Sequence, residues 1–528
     1  MKLNGISLIG GGQGQGEGPV VHAENPATGE QLEPGYRCET IDSVESIARL
    51  AADAFEIYRQ TSGADKAALL RKIADNIDAA EEEIVARMQA ESGLPEGRCR
   101  GEKGRTVGQL RMFAELVEEG SWVDARIETA MPDRAPLPKP DLRSMARPLG
   151  PVVVFCASNF PLAFSVAGGD VASALAAGCP VIVKAHLGHP GTAELVGQAV
   201  QAAVTECGLP DGTFALVYEE GIEVGSALVA HREVKAVGFT GSRQGGRALM
   251  DIAAARKEPI PVYAEMSAIN PVFFLPEIMK SKGEALAEAF AGSLTLGVGQ
   301  FCTNPGLVFC LKDQVEDFAQ AVSKAAAAVE PATMLNSRIC QNYRENRERL
   351  ESLPGVSKVL KVEGPEGSCN EGAGVYVTSV EDYLENPLMW EEVFGPTTLI
   401  VAGSTVKELR DAAQALEGQL TATVHGTDEE IAASADLFSI LERKAGRLIV
   451  NGFPTGVEVC HSMVHGGPYP ATSDGRTTSV GSMAIGRFAR PVSWQSFPDA
   501  SLPDELKNAN PLGIWRMVNG ERVQGTIA

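Results

Sequence analysis

The chain has 528 residues, 44% hydrophobic and 22% charged, a composition ordinary for a soluble globular protein and a length too great for one compact core. Lys and Arg total 46 against 68 Asp and Glu, so at a net charge of −22 the average surface repels phosphate backbones and anionic lipid, which argues against nucleic acid and membranes as partners. Ten cysteines lie scattered with no Cys-x-x-Cys pair and no clustered His/Cys spacing, so neither a disulfide framework nor a metal site is expected.

Reduced thiols in a cytoplasmic protein are the simpler expectation. The start, Met1-Lys2-Leu3-Asn4-Gly5, runs into glycine-rich polar sequence instead of an apolar export signal, and no run reaches transmembrane length. Gly10 to Gly18 reads as a loosely packed loop. From Ile41 to about Ala90 apolar residues such as Ile47, Leu50, Ala51, Phe55 and Ile57 recur at helical spacing, which predicts amphipathic helices. A further helix is expected from Glu96, just after Pro95, to Val117.

Pro132, Pro136, Pro138 and Pro140 are too dense for a helix or a central strand and mark a crossing between domains. Beyond Pro151 short apolar runs alternate with helix-length stretches: Val152 to Phe155, a helix from Phe164 to Ala177, Val181 to Val183, and a helix from Ala193 to Glu206. Phe214 to Val217 and Ala236 to Phe239 follow. Continuous apolar strands separated by helices imply a parallel sheet covered on both faces, a Rossmann-type nucleotide-binding unit. A second alternation from Pro271-Val272-Phe273-Phe274-Leu275 to about Val450 predicts a second α/β domain, and Ile485 to Trp494 suggests an edge strand.

Three short segments carry the chemistry: Ala157-Ser158-Asn159-Phe160-Pro161, Ala264-Glu265-Met266-Ser267 and Gly299-Gln300-Phe301-Cys302-Thr303-Asn304. They supply an amide donor, a proton acceptor and a nucleophile, the set that covalent chemistry at a carbonyl needs. Each has a plainer reading: a buried structural cysteine, a solvated glutamate, a helix-capping asparagine. Phe239-Thr240-Gly241-Ser242-Arg243 ends a strand and opens a helix, placing free N–H groups where a pyrophosphate binds, although it is not the Gly-x-Gly-x-x-Gly fingerprint.

In this order, and over nearly the whole chain from Asn25-Pro26-Ala27-Thr28-Gly29 to Asn510-Pro511-Leu512, these segments resemble the aldehyde dehydrogenase superfamily. Softer strings, Met131-Pro132-Asp133-Arg134, Pro161-Leu162-Ala163-Phe164-Ser165 and Tyr469 to Asp474, resemble its 2-oxoglutarate semialdehyde (2,5-dioxopentanoate) dehydrogenases. With the alternation of elements, the resemblance divides the chain into an NAD(P)-binding domain (1–123 and 148–265), a catalytic domain (266–478) and an oligomerisation arm (124–147 and 479–528). The arm, formed by the proline-rich crossing and the tail, implies a homodimer or homotetramer.

The resemblance implies that the Cys302 thiolate attacks an aldehyde, that the resulting thiohemiacetal loses hydride to a nicotinamide, and that water hydrolyses the thioester. Asn159 and the Cys302 N–H become oxyanion donors, and Glu265 the general base, with Met266-Ser267-Ala268 in place of the family's usual Leu-Gly-Gly. Lys184 and, through the pyrophosphate turn, Gly241 and Ser242 are assigned to the cofactor, with Glu392 and Phe394 at the nicotinamide ribose. Leu187 stands where NAD-specific relatives often carry a glutamate; Lys184 and His186 favour a 2′-phosphate, Glu219 and Glu220 oppose it, and the reading is use of both NAD and NADP. Arg105, on the Glu96–Val117 helix, and Phe160 are the substrate-binding candidates, Arg105 as anchor for an acid semialdehyde. Rival functions are an NADP-preferring dehydrogenase of aliphatic aldehydes, a cofactor-independent cysteine esterase or acyltransferase, and a non-catalytic protein on this scaffold.

Overall fold

The computed structural model describes residues 2–14 and 16–527. Val152–Phe155, Val181–Lys184, Phe214–Val217, Ala236–Thr240 and Val262–Glu265 form a parallel sheet, and their unbroken apolar runs are buried because helices such as Gly169–Ala177 and Pro190–Glu206 cover it. From the central strand Val152–Phe155 the chain builds outward to Phe214–Val217, then returns to add Ala236–Thr240 and Val262–Glu265 on the other side. The direction of winding therefore reverses beside Val152–Phe155, and a crevice opens there at the carboxyl ends of the strands.

Gly10 to Gly18 is not a free loop where it is described. Leu8–Ile9 and Gly12–Gln13 pair as a hairpin that extends this sheet next to Phe214–Val217, with Gly14 N donating to Ser7 O at 2.7 Å; Gln15 lies outside the described residues. The helix expected from Phe164 begins only at Gly169. Residues 161–168 coil as tight turns, and a Cβ on Gly168 would sit 2.4 Å from the Ala163 carbonyl oxygen, an approach only glycine permits. The substrate-side helix runs Glu96–Glu119, two residues beyond the expected end, and stops at Gly120 in the left-handed conformation.

A second seven-stranded sheet orders Ser357–Lys361, Gly374–Ser379, Thr397–Gly403, Leu307–Leu311, Pro271–Phe274, Gln419–His425 and Ala445–Val450, all parallel except the first. A third sheet joins Ala489–Gln495, Leu142–Pro148, Arg126–Glu128, Arg516–Val518 and Glu521–Val523. The tail strand thus pairs with Leu142–Pro148, directly after the proline-rich segment, and not with that segment itself. Ala484, Ile485 and Phe488, read from sequence as part of the arm, instead pack in the core of the first domain. Among the described residues no helix is long and apolar enough to cross a membrane.

Candidate active site

The nucleophile's turn is held from several sides. After the helix Pro276–Thr295, Gly297, Val298 and Gly299 take φ of 58°, 57° and 64°, three left-handed residues in succession, of which only Val298 has a side chain to strain. A Cβ on Gly299 would lie 2.3 Å from the Gly395 carbonyl carbon, so the turn rests on the backbone just beyond Glu392 and Phe394. Asn270 Nδ2 donates to the carbonyls of Cys302 (2.9 Å) and Asn304 (3.0 Å), and Asn304 Nδ2 donates to Gly395 O at 3.1 Å.

Glu265 is the last residue of the strand Val262–Glu265. Residues 471–473 dock on that edge strand: Met266 N donates to Ala471 O at 2.8 Å and Ser473 N to Ala264 O at 2.9 Å. This docking brings the preceding loop, and with it His465, over the carboxylate. Met266, Ser267 and Ala268 have no left-handed backbone, so no glycine is required at these positions.

Three side chains converge. His465 Nε2 lies 3.0 Å from Glu265 Oε1 and 3.3 Å from Cys302 Sγ, and Ser479 Oγ donates to Glu265 Oε2 at 2.8 Å. Burial, then the Glu265 charge, push the Cys302 thiol well above its ordinary value, with Arg105 acting in the opposite direction. Burial also pushes the Glu265 carboxyl up, but His465, Ser479 and Cys302 outweigh it and hold the group below its ordinary value. The proton of the pair therefore rests on sulfur while an ionised acceptor stands beside it. Asn159 Nδ2 donates one hydrogen to Gln300 O at 3.2 Å, which fixes its amide beside the Cys302 turn. Glu265, Cys302 and His465 are also the one group among the described residues whose ligand atoms, all within 4.8 Å, could hold a metal ion.

Cys302 borders two clefts. The first, about 270 Å³, lies at the winding reversal and is lined by Asn159, Glu265, Gly241, Ser242, Glu392 and Phe394 among others. Its residues fit a dinucleotide. The helix Arg243–Ala255 presents its exposed first turn, with Ser242 Oγ accepting from Gly245 N at 3.1 Å, as an anion site. At the other end the Glu392 carboxyl, pushed up to about 8 chiefly by burial and bonded to Ser267, has acceptor capacity left for a sugar hydroxyl. Lys184 does not line this cleft; its Nζ faces Glu219 Oε2 at 3.9 Å. Glu219 in turn caps the helix Glu223–Ala230, accepting from Val224 N (2.6 Å) and Gly225 N (3.1 Å). His186, expected to favour a phosphate, stacks on His189, and burial pushes it down to about 3, so it is neutral and offers no charge.

The second cleft, about 410 Å³, is lined by Arg98, Arg105, Phe160, Phe164, Phe301 and His465 among others. Arg105 is not an exposed helix arginine. Its guanidinium lies 5.8 Å from the Phe160 ring and 5.5 Å from the Phe164 ring, and its buried Nε and Nη2 have no hydrogen-bond partner. Desolvation lowers its pKa. Sequence reasoning missed His465 and Asn270: each stands in a loop without periodicity, and the glycine pair after His465 is the only local signal.

Two clefts that meet at one half-buried thiol, one of them shaped for a dinucleotide, define an oxidoreductase that works through a cysteine. A family model described as "Aldehyde dehydrogenase family" matches residues 14–479. Alpha-ketoglutaric semialdehyde dehydrogenase 2 of Azospirillum brasilense is 51% identical over 523 residues, 99% of this chain and 100% of the relative. Alpha-ketoglutaric semialdehyde dehydrogenase of Acinetobacter baylyi is 42% identical over 526 residues, 99% of each chain. The solved structure of aldehyde dehydrogenase C from Pseudomonas syringae, with NAD+ and octanal, has the same fold, with a TM-score of 0.79 at 22% identity over 94% of this chain and 98% of the other. The chain belongs to the aldehyde dehydrogenase family, whose members oxidise aldehydes with a nicotinamide dinucleotide.

Proposed function

We propose that the enzyme oxidises 2-oxoglutarate semialdehyde to 2-oxoglutarate. The observation that carries the reading is Arg105: a half-buried guanidinium whose Nε and Nη2 are unpaired, in a cleft that Cys302 also lines. Those two N–H groups form the edge that grips a carboxylate through parallel bonds. The relatives from A. brasilense and A. baylyi, whose names specify this substrate, support the same choice.

In the proposed reaction Glu265 takes the proton of the Cys302 thiol. As the carboxylate is neutralised, the His465 Nε2–H turns toward sulfur, 3.3 Å away, and stabilises the thiolate. Sulfur adds to the aldehyde carbon, and the second N–H of the Asn159 amide, with the Cys302 N–H, meets the oxyanion; such a donor is typically worth about 3–4 kcal/mol. Gly241, Ser242, Glu392 and Phe394 of the first cleft would hold a nicotinamide dinucleotide, which would supply the hydride acceptor that conversion of the thiohemiacetal to a thioester requires. Glu265, having released the thiol proton to solvent, draws a proton from the water that attacks the thioester, and the Cys302 thiolate leaves as the acid is freed.

Both NAD and NADP are taken. Leu187 leaves no carboxylate to repel a 2′-phosphate, and Glu219, which could oppose one, is engaged by the helix it caps and by Lys184. Ala489–Gln495 is an edge strand of the third sheet, which supports a homodimer or homotetramer built across that edge; a monomer in sedimentation would refute it.

Phe160, Phe164 and Phe301 in the same cleft favour a second reading, an aliphatic aldehyde. Reduced-nicotinamide absorbance with both cofactors and a five-carbon panel separates them. The acid semialdehyde should exceed pentanal at least about tenfold in kcat/KM, the value of one charged contact. Pentanal ahead would select the aliphatic reading, and product without nicotinamide reduction would select the hydrolase.

A further inference from the structure

Arg98, Glu102 and Arg105 stand at positions i, i+4 and i+7 of the helix Glu96–Glu119 and so share one face, which borders the second cleft. Two cations there meet one carboxylate. Glu102 Oε1 is occupied by the N–H groups of Leu162 (2.8 Å) and Ala163 (3.0 Å), which leaves Oε2 for Arg98 Nη2 at 3.3 Å. Arg98 Nη2 also reaches Asn159 O at 3.4 Å, whereas Nε and Nη1 have no acceptor among the described residues. The guanidinium is held between two aromatic faces, 4.6 Å from the ring of Phe160 and 4.6 Å from that of Phe301, and its side chain keeps 22% of its surface open. Arg105 lies against the same ring, 5.8 Å from the Phe160 centroid.

The donor count decides the role. A simple ω-acid offers two strong acceptor atoms, and both are consumed by Nε and Nη2 of Arg105. A 2-oxo acid carries a third acceptor on the carbon next to the carboxylate. It needs a third donor beside Arg105, and Arg98, which lines the same cleft and lies against the same Phe160 ring, supplies free N–H groups already oriented by its two rings. We infer that Arg98 is the residue that recognises the 2-oxo group, so that the two arginines act as one clamp selecting 2-oxo acid semialdehydes over plain acid semialdehydes of the same length. The inference rests on the acid-semialdehyde reading above.

The test compares 2-oxoglutarate semialdehyde, glutarate semialdehyde and pentanal, which share five carbons and differ only at the clamp. The wild type and the Arg98→Gln and Arg98→Lys variants are assayed, with calorimetric binding of 2-oxoglutarate and glutarate as a readout independent of turnover. Loss of one hydrogen bond from a charged donor corresponds to about 10- to 100-fold. Arg98→Gln should lower kcat/KM for the 2-oxo substrate by that factor more than for the other two, weaken 2-oxoglutarate but not glutarate to match, and be partly restored in Arg98→Lys. Equal losses on all three substrates would mean that Arg98 acts only by supporting Glu102 and the Leu162–Ala163 backbone, and would overturn the inference. Unchanged ratios, or a wild type that binds glutarate as well as 2-oxoglutarate, would overturn it too. A wild type that prefers pentanal to both acids would instead remove the acid-semialdehyde reading itself.

Discussion

Replacing Glu265 by Gln should make Cys302 easier to alkylate while slowing turnover. The carboxylate, the Cys302 sulfur and the His465 nitrogen lie within 4.8 Å of one another, so the ionised glutamate opposes the thiolate at close range. At an effective dielectric of about 20, unit charges at that separation interact by about 3 kcal/mol, which opposes loss of the thiol proton. Glu265→Gln removes that repulsion while leaving the shape and the Ser479 contact available. Labelling of Cys302 by iodoacetamide, followed by peptide mass mapping because the chain has ten cysteines, should therefore begin at lower pH. Turnover should fall about 100-fold or more, since the acceptor for the thiol and water protons is gone. An alkylation profile that stays in place, or moves to higher pH, would refute the electrostatic argument; unchanged turnover would remove Glu265 as the base.

Arg105→Met should lower kcat/KM for acid semialdehydes about 100-fold more than for pentanal, from loss of roughly 3 kcal/mol of bidentate contact. The same variant should raise the thermal midpoint of the ligand-free protein, because a buried unpaired cation is removed; equal losses on both substrate types would dismiss Arg105 as the anchor. Gly299→Ala should destabilise by about 2–4 kcal/mol and depress turnover, since its Cβ would press on the Gly395 backbone and its φ is 64°; an unchanged melting curve would show that the turn can shift. Glu392 is raised in the fold to about 8, so its stabilisation is complete below about 4.5 and is lost as pH rises through about 8. Glu392→Gln should flatten that part of the melting profile between pH 5 and 8, and identical profiles would show that the carboxyl is solvated.

The two α/β units were legible because strands covered on both faces, such as Val181–Lys184 and Pro271–Phe274, must be apolar throughout. The hairpin at Leu8–Ile9 and Gly12–Gln13 was not, because two-residue strands have no period and exist only by adding to the edge at Phe214–Val217. Cys302, Glu265 and Asn159 stand out in sequence because each lies at a turn or strand end flanked by small residues or proline. His465 could not be found that way: its position follows from residues 471–473 docking on Val262–Glu265, roughly two hundred residues earlier in the chain. Arg98 was equally hidden, since its chemistry depends on Phe160 and Phe301, which only the fold brings to either side of it. Arg105 could be singled out on its helix, but the loss of every partner for Nε and Nη2 is a property of packing.

The central claim is covalent oxidation of an acid semialdehyde at Cys302, and acid-quenched mass mapping tests it most directly. The Glu265→Gln variant, incubated with NAD and 2-oxoglutarate semialdehyde, should accumulate a 2-oxoglutaryl thioester on the peptide containing Cys302, with one reduced nicotinamide formed per adduct. No adduct despite nicotinamide reduction, or acylation of any other cysteine, would contradict the account.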